Sequence, residues 1–234
     1  MSDSQQALER DEFESVLRSA ERGYWDKHPF HQKMDAGELA PAHLRAWVAN
    51  RWYYQRSLPQ KDAAIIANCP FPDIRRRWLP RITYHDGTRD GDGGCAQWLV
   101  LAHAVGLSRE EVMDERHVLP GVRFAVDSYL TFARTRSWLE GVASSLTELF
   151  APQAMATRTA ALKRHYPWLD QAALCYFESR ISRARQECAD ALDIVLSHCT
   201  SRAAQDAAVR ALTFKTEVLW SMLDTIEHAL WVRR

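Results

Sequence analysis

Apolar residues in this chain recur at intervals of three and four almost from end to end, and no window of strict alternation lasts more than a few positions. A period near 3.6 belongs to an amphipathic helix, whereas a half-buried strand requires a period of two. Gly and Pro, nine of each, gather at a few breaks: Pro70 and Pro72, Gly87 to Gly94, Pro120 with Gly121, Pro152 and Pro167. The pattern predicts an all-α chain with helices over 11–23, 29–36, 41–57, 59–68, 73–86, 93–105, 108–115, 121–135, 137–150, 152–166, 170–199 and 201–232. Pro41 and Pro59 suit a first helical turn, and Ser108 with Glu111 forms a capping box. Short connections between helices imply a compact bundle, and the absence of a linker or internal repeat makes 1–234 one domain.

Charge narrows the function classes. Thirty basic side chains balance thirty acidic ones. With no basic excess to displace counterions, nucleic acid is not an expected partner. Residues 1–22 are polar where a signal peptide needs an apolar core, and the longest apolar run, 98–107, is interrupted by His103 and too short to span a bilayer. No membrane partner is expected. Cys69, Cys95, Cys175, Cys188 and Cys199 are an odd, scattered set and read as buried free thiols in a reducing cytoplasm.

Several helices carry polar chemistry beside apolar positions. Arg51 and Tyr54 share a face with Trp47, and Gln55 follows, so one helix offers a cation, a phenol and an amide. Arg81 and His85 stand four apart, and the neighbouring cation favours a neutral imidazole, making His85 a candidate base. Thr147 and Glu148 precede Pro152 in an apolar setting where a carboxylate is either paired or protonated. Tyr176 and Arg180 repeat the i, i+4 pairing, and Lys215 interrupts an apolar run. The alternative for each is a surface face or a snorkelling side chain. Metal signals are weak: the Gly- and Asp-rich 85–94 lacks the terminal Glu of a calcium loop, and His28-Pro-Phe-His31 has no carboxylate at motif distance.

Taken together, His28-Pro-Phe-His31, 47–55, 61–70, His85-Asp-Gly87 with Asp92-Gly-Gly94, 119–127, 144–152, His165-Tyr-Pro-Trp168 and 214–224 resemble the pyrroloquinoline-quinone synthase (PqqC) family. The resemblance implies a heme-oxygenase-like fold, a cytoplasmic homodimer and no metal or organic redox cofactor. In such a protein O2 is co-substrate and pyrroloquinoline quinone the product, formed by ring closure and multi-electron oxidation of a tricarboxylated bicyclic precursor with release of H2O2. By motif position, His85, Tyr176, Arg180 and Glu148 are the expected catalytic residues. Tyr24, Arg51, Tyr54, Gln55, Lys61, Arg81, Tyr129, Thr147, Arg158 and Lys215 are the expected substrate-binding residues. Of the basic side chains 25 are Arg, the type that grips carboxylates in a fork. Two positions depart from the family: Trp25 and Met155 stand where pocket histidines are expected, and neither carries protons at neutral pH.

These departures leave a second reading, a protein that binds precursor or quinone without turning it over. A di-iron oxidase on the same scaffold lacks its paired Glu-x-x-His motifs here, and a thiaminase-like hydrolase lacks a Cys with a matched Glu.

Overall fold

The structure, a computed structural model, describes residues 6–231, apart from the side chains at 182 and 184–186. Twelve α-helices follow one another: α1 (Arg10–Arg18), α2 (Pro29–Asp35), α3 (Pro41–Asn68), α4 (Pro72–Trp78), α5 (Pro80–Asp86), α6 (Gly93–Ala104), α7 (Arg109–Met113), α8 (Pro120–Thr135), α9 (Trp138–Ser144), α10 (Ala151–His165), α11 (Cys175–His198) and α12 (Arg202–Trp231). Four 3-10 turns, Ser19–Gly23, Trp25–Lys27, Ser145–Leu149 and Ala172–Leu174, complete the described elements, and none of these is a strand. The expected end at Val232 lies outside the described residues.

Helix α3 is the central element, packed against α5, α6 and α8. It carries buried residues all around its circumference, as a helix enclosed by neighbours must. The sequence predicts two helices here, broken at Pro59. Instead α3 runs through it. Proline removes the N–H that the carbonyl four residues earlier would accept, which is that of Gln55. The freed Gln55 carbonyl meets the Cys95 thiol of α6 at 3.9 Å, so the cost of Pro59 is partly offset from a neighbouring helix. The opposite correction applies to 73–86, expected as one helix: it is interrupted at Leu79, because Pro80 has no N–H for the Arg76 carbonyl.

Other helix ends tighten rather than continue. Segments 19–23 and 145–149 are 3-10 turns following α1 and α9, and 170–174 enters α11 through another. The Ser108 box forms as expected, with Glu111 N–H donating to Ser108 Oγ at 3.1 Å and Ser108 N–H donating to Glu111 Oε2 at 2.9 Å. Cys69 and Cys199 are buried, as expected, but Cys95, Cys175 and Cys188 are only partly so. No described helix is long and apolar enough to cross a membrane.

Two apolar clusters hold the bundle. The larger packs Trp47 against Trp98, Phe177 and Leu219; the other joins Phe13, Leu17, Ile65, Trp78, Ile194 and Leu212. The motif histidines serve this scaffold. His28 Nδ1 accepts from Phe30 N–H at 3.0 Å, capping α2, and its Nε2 donates to Asp224 of α12 at 3.0 Å. Among the described residues no three His, Cys, Asp or Glu side chains form a metal-ligand group.

Candidate active site

Between α3, α5, α10, α11 and α12 lies a small cavity of about 50 Å³. The spacing of α3 explains its first wall: Arg51, Tyr54, Leu58 and Lys61, separated by three or four residues, project to one side. His85 comes from α5, Thr147 and Glu148 from the 3-10 turn after α9, Met155 from α10, Tyr176 and Arg180 from α11, and Lys215 from α12. Tyr24, Trp25 and Tyr129 also line it. Burial pushes the Tyr24 phenol up to about 12, so it stays a proton donor. Three expected residues do not reach the lining. Gln55 and Arg81 stand behind it, bonded to the lining residues His85 and Glu148, and Arg158 lies 5.9 Å from the Trp25 ring.

Gln55 organises one side of the cavity. Arg51 Nη1, which can only donate, faces Gln55 Oε1 at 3.5 Å, and Tyr176 OH donates to the same oxygen at 2.7 Å. The amide nitrogen therefore faces His85 Nδ1, donating at 3.0 Å. An imidazole that accepts at Nδ1 carries its proton on Nε2. His85 is held well below its ordinary pKa by burial first, then by Arg180, Lys61, Arg51 and, last, Arg81. The neutral state expected from Arg81 is thus present, with Arg81 the least of its causes, and the free edge of the ring is a donor.

Close backbone packing sets the His85 position. Gly87 and Gly93 adopt φ of +80° and +85°, and a Cβ at Gly93 would lie 2.7 Å from the His85 carbonyl oxygen. At Gly94 a Cβ would stand 3.3 Å from His85 Nδ1 and 3.4 Å from Gln55 Nε2. The Gly-rich segment is a turn folded against the histidine.

The cations divide into two sets. Lys61 donates to Asp62 Oδ1 at 2.6 Å and to Ser145 Oγ at 3.1 Å, while Trp78 Nε1 donates to the same Asp62 oxygen at 2.7 Å. Burial works against the Lys61 charge, but Asp62 and its neighbours raise its pKa overall. Arg81 donates to Glu148 Oε2 at 2.6 Å and to the Glu187 carbonyl at 2.5 Å, its guanidinium 3.9 Å above the Trp78 ring. Arg180 donates to Glu187 Oε2 at 2.8 Å and lies 3.7 Å from Glu148 Oε1. Burial opposes the Glu148 charge, yet Arg81, Arg180 and Lys61 outweigh it and hold the carboxyl below its ordinary range.

Arg51, Arg158 and Lys215 make no ion pair among the described residues. Arg51 is 4% exposed and stacks 4.5 Å from the Tyr54 ring centroid. Lys215, 1% exposed, donates to Tyr54 OH at 2.7 Å and sits 3.6 Å above the Tyr129 ring. Burial first, then Lys61 and Arg51, hold its pKa well below the ordinary value. Arg158, 1% exposed, leaves Nε and Nη2 without a hydrogen-bond partner, and burial lowers its pKa. Glu187 and Ser145, which complete these pairings, carry no signal in the sequence: one reads as a helix-surface acid and the other as a small polar residue.

The architecture is that of the heme-oxygenase-like fold. It aligns over 97% of its length, at a TM-score of 0.80 and 11% identity, with 95% of a domain of that fold from Shewanella denitrificans. It aligns over 96%, at a TM-score of 0.75 and 14% identity, with 98% of a TenA homolog from Pseudomonas syringae. Residues 14–225 match the model of the TENA/THI-4/PQQC family, and the chain belongs to that family. Curated relatives named pyrroloquinoline-quinone synthase are 50% identical to it in Pseudomonas aeruginosa, over 99% of this chain and 92% of the relative. The Rhizobium rhizogenes relative is also 50% identical, over 96% and 92%.

Proposed function

We propose that this chain completes pyrroloquinoline quinone as a cofactor-independent oxidase, closing a ring of a tricarboxylated bicyclic precursor and oxidising it with O2. The observation that carries this reading is the set of three buried cations that form no ion pair among the described residues. Leaving a cation buried and unpaired costs several kcal/mol, so Arg51 and Lys215 in the cavity wall, with Arg158 behind it, suit a ligand that brings about three negative charges and recharges the Lys215 amine. A tricarboxylate supplies that number. The curated relatives at about 50% identity bear the name of this enzyme and support the reading, while they give none to binding without turnover.

Each two-electron step removes two electrons and two protons from the ring system and delivers them to one O2 as H2O2. Glu148, kept ionised between Arg81 and Arg180, is placed to accept a proton from ring carbon or nitrogen. His85, kept neutral with its proton on Nε2, is placed to donate a hydrogen bond toward oxygen while keeping that proton, and the base role expected from the sequence is closed to it because Nδ1 already accepts from Gln55. Arg180 and Tyr176 stabilise the negative charge that develops there. A proton acceptor and a neutral hydrogen-bond donor thus face one cavity. Steady-state kinetics of His85→Ala and Arg180→Ala test these roles: turnover falls by about a hundredfold or more in each, whereas unchanged turnover in both ends the assignment.

The protein works in the cytoplasm as a homodimer. Phe124, 77% exposed on α8 beside a cleft shared with Phe214 and Val218 of α12, supports this assembly. Light scattering should give twice the chain mass of 26.9 kDa; a monomer at micromolar concentration would contradict it.

A further inference from the structure

Trp25 occupies an unusual place. It lines the cavity although only 2% of it is exposed, and its ring touches two of the three unpaired cations. The Arg51 guanidinium lies 4.9 Å from its centroid and that of Arg158 lies 5.9 Å away. Arg158 itself does not line the cavity, while the indole beside it does. Arg158 also lies 5.8 Å from the Trp47 ring, and Asp35 and Asp26 act on it through their charge without forming an ion pair among the described residues. An indole face is a weaker partner for a guanidinium than a carboxylate fork.

The backbone here is anchored, while the buried indole N–H makes no hydrogen bond of ordinary geometry among the described residues, although it acts on the Tyr24 phenol. Trp25 opens the three-residue turn Trp25–Lys27 between extended residues Tyr24 and His28, and its carbonyl accepts from His31 Nδ1 at 2.9 Å. The present cavity of about 50 Å³ holds a few waters and no tricyclic acid, so a side chain must move when substrate enters.

Building on the function proposed above, we propose that Trp25 is a specificity-determining gate whose indole holds the place of one substrate carboxylate between Arg51 and Arg158, and turns aside when that carboxylate binds. Two consequences follow from this geometry. Binding proceeds in two steps, since the indole must leave before the carboxylate reaches Arg158. A ligand lacking that carboxylate leaves the gate shut and forgoes the Arg158 contact.

The test is stopped-flow binding of pyrroloquinoline quinone to the full chain, wild type against Trp25→Ala, Trp25→Phe and Arg158→Gln. Wild type should show an observed rate that saturates with quinone concentration. Trp25→Ala should give a rate linear in concentration and at least about tenfold faster, with Trp25→Phe between them. Arg158→Gln should weaken binding about thirtyfold or more. Circular dichroism melting confirms folding, and Trp25→Phe carries the comparison where the alanine variant does not fold. Wild-type rate law and dissociation constant in the foldable Trp25 variants would make the indole a fixed wall and overturn the gate. An unchanged dissociation constant in Arg158→Gln would do the same. Failure of the wild type to bind quinone at all would instead overturn the functional reading, and the gate with it.

Discussion

Replacing Lys215 by Met should separate ligand binding from folding in a way that follows from its surroundings. The ammonium is buried, donates to one phenol and lies over two aromatic rings, and the groups nearest in charge, Lys61 and Arg51, repel it. In the ligand-free protein the amine therefore gives up its proton far more easily than the ordinary value of 10.5 allows. A carboxylate brought to it restores the charge, so ligand binding takes up a proton at any pH between the depressed value and the ordinary one. In that window affinity weakens by up to about tenfold per pH unit as pH rises, and it levels off below the depressed value, where the amine is already charged. The sign for folding is the reverse of a salt-bridged lysine: the unfolded chain binds more protons, so the contribution of Lys215 to stability grows with pH through the same window. Met fills similar volume without charge. Lys215→Met should leave the free protein at least as stable near neutrality and weaken quinone binding by about 2–3 kcal/mol, roughly 30- to 150-fold. Titration calorimetry in two buffers of different ionisation enthalpy reads the proton count directly. His85 and Glu148, also depressed in the cavity, remain in the variant. No proton uptake in the wild type, or the same uptake in Lys215→Met, would refute the reasoning.

Three further outcomes follow from the pairings. Gln55→Glu places a carboxylate where the amide donates to His85 Nδ1, so the imidazole pKa should rise, moving the acid limb of the pH–rate profile upward and lowering kcat by about tenfold or more; an unmoved profile would show that the Gln55 contact does not set the tautomer. Gly94→Ala puts a methyl 3.3 Å from His85 Nδ1; kcat should fall several-fold with little change in thermal midpoint, and unaltered kcat would mean the histidine adjusts freely. Asp62→Ala strands the Lys61 charge and the Trp78 N–H, which should cost about 3–5 kcal/mol in denaturant unfolding; a loss under 1 kcal/mol would contradict the pairing.

How much was legible depends on what kind of signal each residue carries. Arg51, Tyr54 and Lys61 were readable because helical spacing alone puts them on one face of α3. Pro59 misled, since the compensation for its missing N–H comes from Cys95, far away in sequence. Pro80 misled in the other direction, by interrupting a helix whose apolar period continues. The positions of Gln55, Arg81 and Arg158 behind the wall were not readable, because motif spacing names a residue's face and neighbourhood but not its depth. Nor was Glu187, whose role exists only when α11 meets α5 and Arg81. The neutral state of His85 was readable in outline from Arg81, but its tautomer required the Arg51–Gln55–His85 chain.

The account rests on the claim that these residues, with three buried unpaired cations and an oxygen-facing donor edge, oxidise a tricarboxylate with O2 alone. Aerobic incubation of chelator-treated protein with the bicyclic precursor, followed together by quinone absorbance, oxygen uptake and peroxide, tests it most directly. Quinone, oxygen consumption and peroxide should appear together, and remain undiminished by the chelator. Tight precursor binding without oxygen uptake, or turnover that returns only on adding metal, would contradict it.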